Sequence, residues 1–445
     1  MGKQRSWVPR NAYTRAGLLV LASASLLLAA NWLRLLNAVG LDNLLERQLL
    51  SAATHSVQRA IGQSIRLIYL EEKGNGDIGD FAQETDRQCL RQRHAQLLGK
   101  LERAGARVVA FDLVFPPAVQ KCVEPTEAFA AAIRDARARG QVQVIVGHDP
   151  AADLDPRIGD AATGQGLALV RVGREQRDAK DARFLTGVLL AEADEVAGAP
   201  GTVLVRPLPL PLAMYMADRW PGSGSVLPGL VPESRQLTFT ATVAPRPPVT
   251  VDVRDCNRGE LNCPAAADAA KRWYGLLPVW MGEGAGFIER SYASVILQEE
   301  LGADYRDKVV LVGARIPEEV VALAPDSKAG KIWGYHVHAR ALADLQSDTY
   351  LRRPSFAVIS AIVVVLVLVG IGARLWLPRL EMRVSLPWIG TTPIPVGLIL
   401  VALLHGFLVI QLMQRLYWLQ DLSYQLLALA AGYYVASRPL LPKSA

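Results

Sequence analysis

The sequence lacks the short motifs that announce chemistry. No G-x-x-x-x-G-K-[ST] loop is present to cradle phosphates, no G-x-S-x-G turn to present a nucleophilic serine, and no H-E-x-x-H pair to hold a catalytic zinc. The glycine-bearing stretches "GLALVRVG" and "EKGNGDIGD" carry none of the Lys-Ser/Thr that a phosphate loop needs. Cysteine is scarce, with four residues, and none are spaced C-x2-C as a zinc site would require. Internal repeats, coiled-coil heptads and low-complexity tracts are also missing, which excludes solenoids and fibrous assemblies. These absences leave no catalytic residue, metal ligand or cofactor site to assign, and the expectation is a protein that is not an enzyme.

What is abundant is apolar sequence. Hydrophobic residues make up 51 % of 445, at the upper edge of the soluble range, and the excess is concentrated in four runs. These are Ala16 to Leu33, Pro354 to Ala373, the uncharged span Val384 to Gln414, and Leu416 to Ser437, which only Asp421 interrupts. Runs of about 18 or more residues cover a hydrocarbon core of roughly 30 Å as a helix, so four transmembrane helices are expected, over 16–33, 354–373, 393–413 and 417–437. The first run follows Lys3, Arg5, Arg10 and Arg15 but no clear A-x-A site follows it, so it reads as an anchor rather than a cleaved leader. Asp421, near the outer end of the last run, is expected at the interface rather than at mid-bilayer.

Positive charge sets the orientation. With the amino terminus inside, the cytoplasmic pieces are residues 1–15, a loop over 374–392 and a tail over 438–445. They hold nine basic residues against one acid, Glu381, a net of +8, so the remainder nets −2 of the overall +6. The basic balance is therefore a topology signal and gives no support to nucleic-acid binding. About 320 residues, over 34–353, are expected on the outer side of a bacterial inner membrane, in the periplasm, with both termini cytoplasmic.

All four cysteines, Cys89, Cys122, Cys256 and Cys263, fall in that outer segment, where disulfides persist. A helix start and the next strand's end meet at one edge of an alternating α/β layer, which favours pairing Cys89 with Cys122; Cys256 and Cys263 then pair across the short "NRGELN" loop.

Within the outer segment "SIRLIYL", "ARVVAFDLVF", "QVQVIVG" and "KVVLVGA" read as buried strands. They alternate with helices over about 88–104, over "TEAFAAAIRDARAR" with Gly140 as its stop, near Pro211 to Trp220, and over "HARALADLQ". Near-continuous apolar strands between helices imply an α/β fold with a mostly parallel sheet covered on both faces. Roughly Pro150 to Pro278 is rich in Pro and Gly with scattered β-like pieces, and reads as an irregular β-rich insertion. Asp86 and His94 read as helix surface.

Three stretches resemble the CHASE2 family, extracellular sensor domains of bacterial adenylate cyclases, histidine kinases and Ser/Thr kinases. They are "GARVVAFDLVF" with Asp112 near its end, "YRDKVVLVGA", and "GYHVHARALADL" with Gly334, His338 and Ala339 in register. The similarity runs from about Leu41 to Leu351 and extends to one span before the domain and three after it. After the Leu-Val-Gly-Ala strand the family has an Asp and a Thr-Pro, where this chain has "RIPEEVVALAPDSKAGKIWG", so ligand identity does not transfer. Relatives commonly carry a cytoplasmic output module after the third span; none is read here before Ala445.

The resemblance implies a membrane-anchored sensor or adaptor that passes an external signal, a small molecule or an envelope protein, to a separate cyclase, kinase or regulator, with a homodimer as one possible state. The alternatives are a periplasmic enzyme using the Asp112/His338 edge and a ligand-free structural subunit. Candidate ligand-binding residues are Asp112, which ends a parallel strand where α/β sheets place ligands, and His336 and His338, which share a face if their segment is extended. Asp344 and Glu319 are the nearest acids to that pair in sequence, and packing at a helix start competes with ligation for His338.

Overall fold

The computed structural model describes residues 63–71, 84–149, 152–162, 166–170, 172–175, 184–195, 203–205, 208–219, 228–231, 236–239, 249–255, 272–278, 287–316, 320–322, 331–347, 354, 356–377, 381–386, 390–416 and 422–437. Two compact units emerge, one within Val57–Leu351 and one that includes the helices from Arg352 onward. The first hydrophobic run, the Cys256/Cys263 pair, Glu319 and Asp421 lie outside the described residues.

Seven strands of the first unit form one sheet: β1 Ile65–Glu71, β2 Val108–Phe111, β3 Gln143–His148, β4 Leu167–Leu169, β5 Leu208–Pro209, β6 Ile288–Ser291 and β7 Val309–Arg315. Their spatial order is β6-β1-β7-β2-β3-β4-β5 and every pairing is parallel. A wholly parallel sheet must be covered on both sides, and the period of two along each strand shows that it is. Val109 and Phe111, with Val310 and Val312, enter one apolar core; Val108 and Ala110, with Val309 and Leu311, enter the other. The first core is closed by helices α2 Arg91–Arg103, α3 Val123–Arg139, α4 Pro156–Ala161 and α6 Tyr292–Leu297, and the second by α5 Leu210–Arg219 and α7 Gly334–Gln346. A short helix, α1 Glu84–Cys89, precedes α2. Each fully buried Val, Leu or Phe is worth about 1.5–3 kcal/mol, so these two cores hold the domain and exposed pairs such as Arg290–Asp304 add little.

Local signals account for the boundaries. α3 stops at Gly140, which takes the left-handed conformation at φ 67° and donates its N–H to Ala136 and Arg137 carbonyls. α2 buries His94, Leu97, Leu98 and Leu101 on one face, which corrects the surface reading of His94: it continues the stripe begun by Leu90. α7 begins at Gly334, ahead of the expected "HARALADLQ" segment, so both candidate histidines are helical.

The Pro/Gly-rich middle is more ordered than its composition implies. Strands Phe184–Glu195, Val203–Val205, Pro228–Val231, Gln236–Phe239, Val249–Asp255 and Arg272–Pro278 pair antiparallel in succession, and the last pairs back onto the first. The backbone ladder thus closes into a ring of six strands, an arrangement that leaves no open edge within the ring. Short strands at Val320–Ala322 and Lys331–Trp333, just before α7, attach to the same sheet through Phe184.

The second unit contains α8 Phe356–Trp376, α9 Val396–Leu416 and α10 Leu422–Ser437. Two described segments, Ala357–Trp376 and Val396–Met413, are long and apolar enough to cross a membrane; α10 has 16 residues. α8 and α10 meet through reciprocal glycines. A Cβ on Gly370 would lie 2.2 Å from the Leu429 carbonyl oxygen, and one on Gly432 would lie 2.0 Å from that of Val367. Between α8 and α9 the strands Glu381–Leu386 and Gly390–Pro395 form a hairpin. Pro393 and Pro395 keep Thr392 and Ile394 extended, so α9 starts at Val396 rather than at 393.

Candidate functional site

The topology singles out one place on the sheet. β1, β2, β3 and β6 are each followed by helices on the face of the first core, whereas β7, lying between β1 and β2, is followed by α7 on the opposite face. Connections that leave adjacent strands in opposite directions open a crevice beyond their carboxyl ends, where α/β sheets bind ligands. The amino end of α7 covers that crevice.

Strand register places four polar side chains there, all on the α7 side. Tyr69 continues the Ile65, Leu67 alternation of β1, Arg315 that of β7, and Asp112 that of Val108 and Ala110 on β2; Glu289 is level with Leu67. Gly313 makes the approach of α7 possible, since a Cβ there would stand 2.4 Å from that of Tyr335. Gly147 does the same beside Asp112, where a Cβ would meet Val170 at 2.5 Å and the Phe111 and Leu113 carbonyl oxygens at 2.7 Å.

The polar groups form two clusters. In the first, Arg315 lies 3.4 Å above the Tyr69 ring, donates from Nε to the Tyr335 hydroxyl at 2.8 Å, and pairs with Glu289. His336 Nε2 faces the other Glu289 oxygen at 2.7 Å. Burial alone would raise the Glu289 pKa, but the His336 and Arg315 partners outweigh it and hold the carboxyl below its ordinary value. Burial likewise raises the Tyr335 phenol, which stays protonated.

In the second cluster, His338 donates from Nε2 to the Val170 carbonyl at 3.0 Å and stands 3.6 Å from Asp112 Oδ1. Asp112 is tied to β7 by its backbone N–H, which donates to the Val312 carbonyl at 2.7 Å, while 10 % of its side chain is exposed. Burial with so little compensation pushes its carboxyl up to about 7.

His336 and His338 do not share a face. Positions two apart on a helix are about 200° apart around its axis, so one joins each cluster. Asp344 is buried farther along α7. Among the described residues no three His, Cys, Asp or Glu side chains converge as a metal-ligand set. The arrangement offers hydrogen-bond donors, acceptors and one carboxyl poised to gain or lose a proton near neutrality. It has the makings of recognition and of proton response.

Glu289, Arg315, Tyr335 and Tyr69 escaped the sequence reading. Arg315 carried the best signal, a charge directly after an apolar parallel strand.

The loop after Asp112 is held from below by a buried network. Arg91, 1 % exposed, donates to Thr126 Oγ1 at 2.9 Å and to the Pro116 carbonyl, and lies 3.5 Å from Asp155. Burial lowers its pKa to about 10 against the opposing pull of Asp155. Asp155 accepts from the N–H groups of Ala118 at 2.9 Å and Arg157 at 3.0 Å, capping α4. Gln88 accepts from Val119 N–H at 2.7 Å, and Cys89 and Cys122 are joined with their Cα atoms 4.7 Å apart.

The parallel strands, the Asp112 strand end and the Gly334–Ala339 helix start are thus in one place, and the CHASE2 domain profile matches residues 18–374. The chain belongs to the CHASE2 family. CHASE2 is a sensor-type extracellular domain family, consistent with a sensor role. No curated protein and no solved structure matches the chain.

Proposed function

We propose that this CHASE2 protein is a membrane-anchored sensor whose signal is bound in the crevice at the carboxyl ends of β1, β7 and β2, between the Glu289–Arg315–Tyr335–His336 and Asp112–His338 clusters, with α7 as the element that reports occupancy. One observation carries this reading: α7 contributes a histidine to each cluster, and in the chain it is the helix that precedes α8. Its far end is also fastened. Gln346 accepts from Ser64 Oγ at 2.6 Å and donates to Asp218 at 3.2 Å, and Asp218 pairs with Arg107 at 2.8 Å. A ligand that favours one setting of α7 changes the population of that setting by its differential affinity.

In this reading the Val57–Leu351 unit faces the periplasm, both termini are cytoplasmic, and four spans anchor the chain. The basic flanks of the apolar runs support that orientation. The reading assigns the output to a separate cyclase, kinase or regulator, the hairpin between α8 and α9 being too small for catalytic work of its own.

Thermal-shift screening of the full-length protein against amino acids, dicarboxylates, sugars and divalent cations tests the site. A compound that stabilises the wild type and fails to stabilise Asp112→Ala and Arg315→Leu supports it. A flat screen together with a fixed partner in pull-downs identifies a structural subunit instead, and turnover lost in Asp112→Ala identifies an enzyme. Alkaline phosphatase fusions at either terminus that are active outside the cell overturn the orientation.

A further inference from the structure

In the helical unit, α8 and α9 are separated by a groove of about 510 Å³, within the roughly 300–1,000 Å³ range of small-molecule sites. Its walls are apolar, including Val365, Val369, Leu404 and Leu408, and it opens sideways, since Val365 and Leu404 are more than half exposed. His405 is the one polar residue in the lining. Its Nε2 lies 2.8 Å from Gln425 Oε1 on α10. An amide oxygen only accepts, so Nε2 carries the hydrogen and the other ring nitrogen, Nδ1, presents a lone pair. Among the described residues Nδ1 has no hydrogen-bond partner.

Depth selects what can supply the missing donor. His405 is the tenth of the 21 residues of α9, about 15 Å from either end at 1.5 Å per residue. Phospholipid and fatty-acid head groups stay at the interface, and a charged group at the middle of a bilayer is costly. A bare acyl chain would fill the groove but leave Nδ1 without a partner. The chain's own apolar run at 16–33 is the competing cover, which cross-linking tells apart. Among diffusible molecules, the donor that fits is a neutral, membrane-dissolved one with an apolar body and a hydroxyl that descends to mid-bilayer.

From the groove, the lone nitrogen and its depth, we infer that α8 and α9 bind a prenyl quinol whose ring hydroxyl donates to His405 Nδ1. The oxidised quinone has only acceptors and makes no such bond, so the groove distinguishes the two redox forms. This input is independent of the crevice in the outer domain.

The test uses full-length protein in phosphatidylcholine nanodiscs, titrated with decylubiquinol and, separately, decylubiquinone. Decylubiquinol is expected to bind with about fivefold higher affinity than the quinone, the worth of one hydrogen bond. His405→Leu removes that preference while leaving a residual apolar affinity. Leu404→Trp fills the groove with His405 intact and abolishes binding of both, so the proposal stays testable if the histidine variant misfolds. Equal binding of the two forms, or binding unaffected by Leu404→Trp, overturns it. So does quantitative disulfide cross-linking of Ser25→Cys to Ala361→Cys in native membranes, which would assign the groove to the protein's own amino-terminal run.

Discussion

Two buried carboxyls have opposite surroundings: Asp112, which starts the loop that follows β2, and Asp155, which caps α4 and bonds to that loop at Phe115 and Ala118. Asp155, wholly buried, accepts from two backbone N–H groups and faces Arg91 and Arg157. Among the described residues, Asp112 has His338 at 3.6 Å and no closer side-chain donor. A carboxylate saturated with donors fixes a structure, because each partner would be left unpaired by any movement. One starved of donors is free to change its proton or its partner. The domain thus has a rigid floor beneath a responsive edge.

Breaking the floor has the largest expected effect. Asp155→Ala leaves the Arg91 charge buried without its counterion and should cost about 3–5 kcal/mol. Hydrogen exchange at the β2 and β7 amides of the full-length protein reads this as a loss of protection. A change under about 1 kcal/mol would mean that water replaces the pair and the floor is not rigid.

The responsive edge has a pH signature of definite sign. Asp112, raised from 3.8 to about 7, keeps its proton in the folded state after the unfolded chain has lost it, so its contribution falls as pH rises from about 4 to 7. His94 does the opposite. Enclosed by Phe111, Phe115, Phe129 and Tyr292, it is lowered from 6.5 to about 3, so stability is lost as pH falls from 6.5 toward 3. The two trends offset each other in the wild type between about pH 4 and 6.5. Asp112→Asn should gain roughly 2–4 kcal/mol at pH 8 and expose the rising trend, whereas His94→Phe should expose the falling one. Matching pH slopes in wild type and Asp112→Asn would show that the carboxyl is solvated and the edge is not poised.

The helical unit offers a parallel case in which contact is set by what is absent. Gly432→Ala would drive a Cβ into the Val367 carbonyl, and α8 and α10 would have to separate. A cost of about 1–3 kcal/mol is expected, as for other overpacked interfaces, seen as a lowered unfolding midpoint in detergent. Gly406→Ala on α9, with nothing within 4 Å of its Cβ position, is the matched control.

Much of the floor could be read from residues, and much of the edge could not. Unbroken apolar strands announced the parallel sheet, and Gly140 announced the end of α3, because backbone burial and left-handed turns select residue types directly. His94 was misread because a polar residue in a Leu90, Leu97, Leu101 stripe looks like a surface interruption, although the 4-3-4 spacing already placed it inside. Asp112 stood out at a strand end. Glu289, Arg315 and Tyr335 did not, since they come from three elements that only the β6-β1-β7 order brings together. The six-stranded ring was hidden for a related reason: its short strands are defined by each other's edges rather than by an apolar pattern of their own.

The smallest effect expected on the edge itself comes from removing the disulfide between Cys89 and Cys122. A cross-link of this kind is usually worth about 2–4 kcal/mol through the unfolded chain. Here Gln88, Arg91 and Asp155 hold the same loop at Val119, Pro116 and Ala118, so the folded loop has little freedom to gain when the bond is removed. Cys89→Ser with Cys122→Ser should therefore cost nearly the full unfolded-chain amount, about 3–4 kcal/mol for partners 33 residues apart, and leave the pH slope due to Asp112 unchanged. If the slope disappears with the bond, the cross-link rather than the Arg91–Asp155 pair keeps Asp112 out of water, and floor and edge are a single device.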